Sequence, residues 1–240
     1  MTDSKNMYNM YNMYNMFNID DYDVFIFDFD GTILDTEPYH FKAYLKSFQD
    51  LGVDFNFDLD FQKYCKMLHN IHRTEFNSVL NKYTIDYVKL YEQKSKNFLE
   101  LINKDFEQKI NKFIGNCDVF LKKLKARNKE LVIVTNSSIV SINNFKKFVP
   151  ELELFDKIYT KEDFVKKKPD PECYLKVQEI YASQNKRMIA FEDSFQGFHA
   201  LSFATQMKQM FIDPYNYYYS GFIKGHYENI NMIKSYDCFE

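Results

Sequence analysis

The chain has little of what marks several large protein classes. It holds four cysteines, Cys65, Cys117, Cys173 and Cys238, widely scattered and without a CxxC pair. That spacing excludes a disulfide framework or a cysteine zinc site and fits a reducing compartment. No apolar run is long enough to span a bilayer. The N-terminus lacks the basic start and apolar stretch of a signal peptide, so the cytoplasm is the expected location and no membrane partner is implied. Neither charge sign dominates: a net charge of -3 over 240 residues gives no bulk attraction to nucleic acid. Glycine occurs only six times, while Lys, Asn, Ile, Phe and Tyr are abundant. AT-rich coding produces such a bias, and it carries no chemistry. Nothing in the composition identifies a protein partner.

What is present begins with a repeat. Residues 7–18 read MYNMYNMYNMFN, four triplets of Met, an aromatic and Asn. A period of three matches neither a strand nor a sustained amphipathic helix, so residues 1–19 are expected to form a disordered tail. An aromatic interaction tag is the alternative. From Tyr22 onward the pattern alternates. Apolar runs at 24–28, 131–135, 155–160, 188–192 and 210–213 read as strands. Helical patterns at 116–128, 138–148, 171–182 and 195–206 separate the later ones. Strands divided by helices of this length imply a parallel sheet with right-handed crossovers. Residues 37–104 contain no comparable strand and read as helices at 38–51, 57–69, 72–82 and 84–103. The expected architecture is an α/β, doubly wound, Rossmann-like core over 20–36 and 106–240, with an inserted all-helical cap over 37–105.

Three of the expected strands end in polar clusters: FIFDFDGT at 25–32, VIVTNSS at 132–138 and IAFEDS at 189–194. Buried unpaired acids are costly, so an apolar strand running into Asp28 and Asp30 calls for a metal, a proton or a partner cation. Ligands of open parallel sheets bind beyond the carboxyl ends of the strands. That rule brings Asp28, Asp30, Thr135, Asn136, Ser137, Glu192 and Asp193 to one rim. Hard carboxylate ligands favour Mg²⁺, and the set suits an oxyanionic substrate.

Taken together these residues resemble the haloacid dehalogenase superfamily of phosphotransferases. Asp28-Phe29-Asp30-Gly31-Thr32 looks like its first motif and Thr135-Asn136-Ser137 like its second. Lys168-Pro169-Asp170-Pro171 looks like the third, and Glu192-Asp193 with Ser194, Gln196 and Gly197 like the fourth. Four motifs in family order form a specific signal. The insertion after the first motif is similar to the subgroup of β-phosphoglucomutase and many small-metabolite phosphatases.

The resemblance implies roles. Asp28 would be the nucleophile, forming an aspartyl phosphate. Asp30 would protonate the leaving oxygen and then deprotonate water, with its backbone carbonyl on the metal. Thr135, the Asn136 backbone and Ser137 would hold phosphoryl oxygens, and Lys168 would offset the charge on phosphate and Asp28. Asp193, with Glu192 as ligand or neighbour, would complete a Mg²⁺ site with Asp28 and Asp30. Carbon–halogen hydrolases of the superfamily lack the second acid, so Asp30 points to phosphoryl transfer. His40 in TEPYH resembles a substrate-contacting hinge histidine. Arg73 falls where a cap arginine binds a distal phosphate, although Asn70 stands where the mutases carry Gly. Lys94 matches no motif position closely and is not carried over. Lys166 and Lys167 read as a solvated face, and the Tyr-rich stretch at 215–221 as surface packing. The expected activity is a Mg²⁺-dependent phosphatase of a small phosphorylated metabolite. The alternatives are a sugar-phosphate mutase and a catalytically silent binding protein.

Overall fold

The computed structural model describes residues 18–54, 59–68, 74–110, 112–215 and 231–239. The repeat tail lies outside them except for Asn18, whose side chain caps a 3₁₀ turn at Ile19–Asp21. Ile19 is buried against the core, so the structured region starts slightly before the expected boundary.

Six parallel strands form one sheet: β1 (Val24–Phe27), β2 (Glu130–Val134), β3 (Lys157–Tyr159), β4 (Met188–Glu192), β5 (Met207–Ile212) and β6 (Asn231–Ile233), in the order β3-β2-β1-β4-β5-β6. This is an α/β, Rossmann-like sheet. β1 is flanked by β2 and β4, and all four of its residues are buried. That explains an unbroken VFIF run where a one-faced strand would alternate. Successive side chains point to opposite faces. Phe25 and Phe27 pack with Phe120, Leu121 and Leu124 of α5 (Cys117–Ala126) and with Phe145 of α6 (Ile139–Lys146). Val24 and Ile26 pack with Tyr174 and Val177 of α7 (Glu172–Ala182) and Leu201 of α8 (Phe195–Ser202).

Between β1 and α5 lie α1 (Glu37–Asp50), α2 (Phe61–Leu68), α3 (Thr74–Leu80) and α4 (Tyr87–Glu107), with no strand among the described residues. Tyr44, Phe48, Tyr64, Phe76 and Leu90 among their buried side chains form a cluster of their own, while Tyr39, Ala43, Phe98 and Ile102 join the sheet's core. The chain leaves and re-enters the sheet through two adjacent linkers. Asp35 N donates to Lys112 O at 2.6 Å and Ile114 N to Ile33 O at 2.9 Å.

Several ends differ from expectation for local reasons. α4 starts at Tyr87 because the Asp86 carboxylate accepts from Val88 N and Lys89 N. The helix expected to reach 206 stops at Ser202, and Met207–Ile212 join the sheet instead. β6 was unanticipated: three residues carry too little pattern to read as a strand. Among the described residues no helix is long and apolar enough to cross a membrane.

Candidate active site

The strand order reverses between β1 and β4, and both strands end in acids. Asp28 follows β1, while Glu192 closes β4 and Asp193 follows it. One oxygen from each of Asp28, Glu192 and Asp193 lies within 4.8 Å of the other two, and all three residues are buried. Lys168 supplies the local counter-charge. Its Nζ donates to Asp28 Oδ1 at 2.6 Å, Glu192 Oε1 at 2.6 Å and Val134 O at 2.7 Å. Burial alone would lower the pKa of this ammonium, but Asp28 and Glu192 beside it raise it instead. Lys168 therefore stays charged.

One cation does not balance three carboxylates. Burial, opposed by Lys168 but reinforced by Glu192 and Asp30, pushes Asp28 well above the usual carboxylate range. Burial, Asp28 and Glu192 push Asp193 the same way, against a 3.0 Å hydrogen bond from Thr32 Oγ1. Such a cluster calls for a further positive charge, and its hard oxygen donors fit a divalent cation of the Mg²⁺ type.

Asp30 has a different setting. Burial works to raise its carboxyl, but hydrogen bonding and charge from His40, with the hydroxyls of Ser137 and Thr36, hold it at about 2. Thr36 Oγ1 donates to Asp30 Oδ1 at 2.7 Å, which is why the residue preceding α1 makes no side-chain cap to that helix. Ser137 Oγ donates to Asp30 Oδ2 at 2.5 Å, and Ser138 caps α6 in its place. His40 Nε2 stands 3.5 Å from Asp30 Oδ1, and its ring stacks on Phe98 at 4.1 Å.

The second motif also braces the third. The Asn136 side chain accepts from Lys168 N at 3.1 Å and donates to Lys168 O at 3.1 Å. The sequence reading gave the Asn136 backbone a phosphate contact and did not anticipate this clasp by the side chain. Gly31 (φ +77°) turns the chain between the acids, and a Cβ there would lie 2.1 Å from Asp193 Oδ2.

Asp28, Asp30, Asp193, Thr135, Asn136, Ser137 and Lys168 face a cavity of about 230 Å³ whose opposite wall is His40, Tyr44, Tyr64, Leu68 and Lys94. The structure thus brings the expected residues from all four motifs together with His40. Glu192 lies behind the cavity wall, and Arg73 lies outside the described residues. Lys94, not carried over from the sequence, reaches the site from α4, with Nζ 2.7 Å from His40 Nδ1. Tyr174, also unforeseen, donates its buried hydroxyl to Glu192. Neither had a local signal, since each sits in an ordinary amphipathic helix.

The sequence profile of the haloacid dehalogenase-like hydrolases matches residues 25–209. The chain belongs to that family. The chain is 27% identical to the β-phosphoglucomutase of Bacillus subtilis over 75% of its own length and 78% of the relative's. It is equally 27% identical to the phosphorylated carbohydrates phosphatase of Thermotoga maritima, over 73% and 78% of the two chains. The crystal structure of CbbY from Rhodobacter sphaeroides in complex with phosphate shares its fold, with a TM-score of 0.67 and 22% identity over 90% of this chain and 95% of that one. These relatives include a phosphomutase and a phosphatase, and this member of the family is accordingly an enzyme acting on phosphate esters.

Proposed function

We propose that the protein is a Mg²⁺-dependent phosphatase that hydrolyses a small phosphorylated metabolite through an aspartyl phosphate on Asp28. The observation that carries this reading is Asp28 itself, at the sheet's switch point between Lys168 and Asp193 and open to the cavity. Phosphoryl transfer depends chiefly on positioning and charge compensation, which suits this arrangement.

Asp28 Oδ would attack phosphorus as the ester P–O bond breaks and Asp30 gives its proton to the leaving oxygen. Water deprotonated by Asp30 would then attack phosphorus and break the bond to Asp28, with Lys168 following the charge on the phosphoryl oxygens. Thr135, Asn136 and Ser137 line the position those oxygens would take. Asp30, ionised at neutral pH with a pKa of about 2, starts as a base suited to activating the hydrolytic water. A phosphoryl group beside it would add negative charge and raise that value, bringing it closer to the acid's task. Asp28, Asp193 and the Asp30 carbonyl would hold Mg²⁺, with Glu192 as a further ligand or a neighbour. The bound ion would neutralise phosphate and carboxylate charge.

We assign residues 37–105 the role of a cap that closes over the substrate and excludes bulk water. His40 would contact the substrate from it. Arg73 keeps its proposed substrate contact from the sequence alone. The cavity of about 230 Å³ suits a small metabolite rather than a larger ligand. Four scattered cysteines without a disulfide framework suit a cytoplasmic location.

A mutase is the second reading, because His40 and the helical segment resemble that subgroup. Against it, Ser137 is bonded to Asp30, Ser138 caps a helix, and Ile139 and Val140 are exposed apolar residues. This stretch therefore offers no cation for a second phosphate. The test is phosphate release from a panel of sugar phosphates with Mg²⁺, repeated with EDTA and with Asp28→Asn. Equal turnover in all three would refute the mechanism. With β-glucose 1-phosphate, free phosphate marks a phosphatase and glucose 6-phosphate a mutase.

A further inference from the structure

Tyr174 lies six residues beyond Lys168, on the first turn of α7, with its ring packed in the layer beneath the sheet. It is fully buried, and its hydroxyl reaches the charged cluster from that far side. The oxygen stands 2.5 Å from Glu192 Oε1 and 3.0 Å from Lys168 Nζ.

The donor count around Lys168 makes this contact consequential. The ammonium has three N–H bonds. Four oxygens surround it within 3.0 Å: Asp28 Oδ1, Glu192 Oε1, Val134 O and the Tyr174 hydroxyl. Tyr174 alone among the four can both accept and donate. With its O–H on Glu192, that carboxylate keeps a strong hydrogen bond even when Lys168 turns one N–H away. Without the hydroxyl, Glu192 would rely on Lys168 for the donor to this oxygen. A buried carboxylate that loses its donor incurs a large desolvation cost, so the lysine would be held back.

We propose that Tyr174 is a positioning residue for phosphoryl transfer: its hydroxyl holds Glu192 and so frees a Lys168 N–H to follow the phosphoryl group onto Asp28. The assignment rests on the phosphatase reading above and adds to it a residue outside the four motifs. Tyr174 does not touch the reacting atoms. It acts through Lys168 and Glu192.

Tyr174→Phe keeps the packed ring and removes only the hydroxyl. The expected result is a fall in kcat of about tenfold, the size of one charge-assisted hydrogen bond, with KM within about twofold of the parent. A second readout is the ¹⁹F NMR spectrum of Mg²⁺ and beryllofluoride bound to Asp28. The fluorine nearest Lys168 should shift in Tyr174→Phe while the others hold their positions. Unchanged kcat and an unchanged spectrum would overturn the assignment, as would a kcat loss that vanishes when the two proteins are compared at equal distance below their melting temperatures. If the parent protein neither releases phosphate nor binds beryllofluoride, the phosphatase reading itself fails. A parent that does both, beside an unaltered variant, refutes the role of Tyr174 alone.

Discussion

Replacing Gly31 by Ala separates the conformational need for glycine from its role in placing a carboxylate. Gly31 has φ +77°, and a Cβ there would meet Asp193 Oδ2 at 2.1 Å and Cγ at 2.7 Å. Gly52, after α1, has φ +65° and nothing within 4 Å of the same added atom. Both alanines carry the left-handed backbone cost of about 1–2 kcal/mol. In Gly31→Ala the Asp193 carboxylate must also retreat by more than an ångström to regain ordinary contact. It is buried and bonded to Thr32, so it has little room to do so. A displacement of about 1 Å in a site of this kind costs on the order of a hundredfold in rate. Urea melts should show similar losses for the two backbone strains, with an added loss for Gly31→Ala. Phosphate release should fall about a hundredfold in Gly31→Ala, with weaker Mg²⁺ half-saturation, and stay within about twofold in Gly52→Ala. If Gly31→Ala kept both its rate and its Mg²⁺ dependence, Asp193 would not stand where this account places it.

Other expectations follow from the charge balance. Asp28 and Asp193 have raised folded-state pKa values, so each holds a proton that the unfolded chain releases above about pH 4. Metal-free stability should therefore decline as pH rises from there. Mg²⁺ should restore it increasingly toward pH 8, and melting curves independent of both pH and Mg²⁺ would contradict the cluster. Asp30, at about 2, has the opposite effect, but only between about pH 2 and 4. Removing His40 takes away the principal interaction lowering Asp30, so His40→Ala should move the acid limb of kcat/KM to higher pH. A limb left in place would mean that His40 does not govern that carboxyl. Asn136→Ala deletes both hydrogen bonds to the Lys168 backbone and should destabilise the protein by about 1–3 kcal/mol in urea unfolding. It should also lower kcat, and an unaltered rate would show that the clasp does not position Lys168.

The chemistry was legible where a change of pattern marks a strand end. Asp28, Thr135 and Asp193 each follow an apolar run, and a parallel sheet turns those separated positions into neighbours. Lys168 was legible through its KPDP context, not through the triple-lysine run that contains it. What could not be read depends on distance. Tyr174 meets Glu192, 18 positions away, and Lys94 meets His40, 54 positions away, from helices whose periodicity is that of any packed helix. Asn136 was read for its backbone, facing phosphate, and its side chain's clasp on Lys168, 32 positions away, left no local mark. Ser137 and Ser138 show how a dipeptide divides its work: one hydroxyl serves Asp30 and the other caps α6. At β6, a three-residue strand offers too short a window for any periodicity to register.

The paired linkers have a consequence for how such a chain diversifies. Since Asp35 bonds to Lys112 and Ile114 to Ile33, the two ends of the helical segment already lie side by side. To the sheet, everything between them is a single closed loop, and closing a longer loop costs little more than closing a shorter one. A different segment could be grafted across the same junction if it resupplied the contacts of Thr36 and His40 with Asp30 and the packing of Phe98 and Ile102 in the core. On the cap reading proposed above, selectivity could then be exchanged or rebuilt as a cassette wherever the graft restored those contacts.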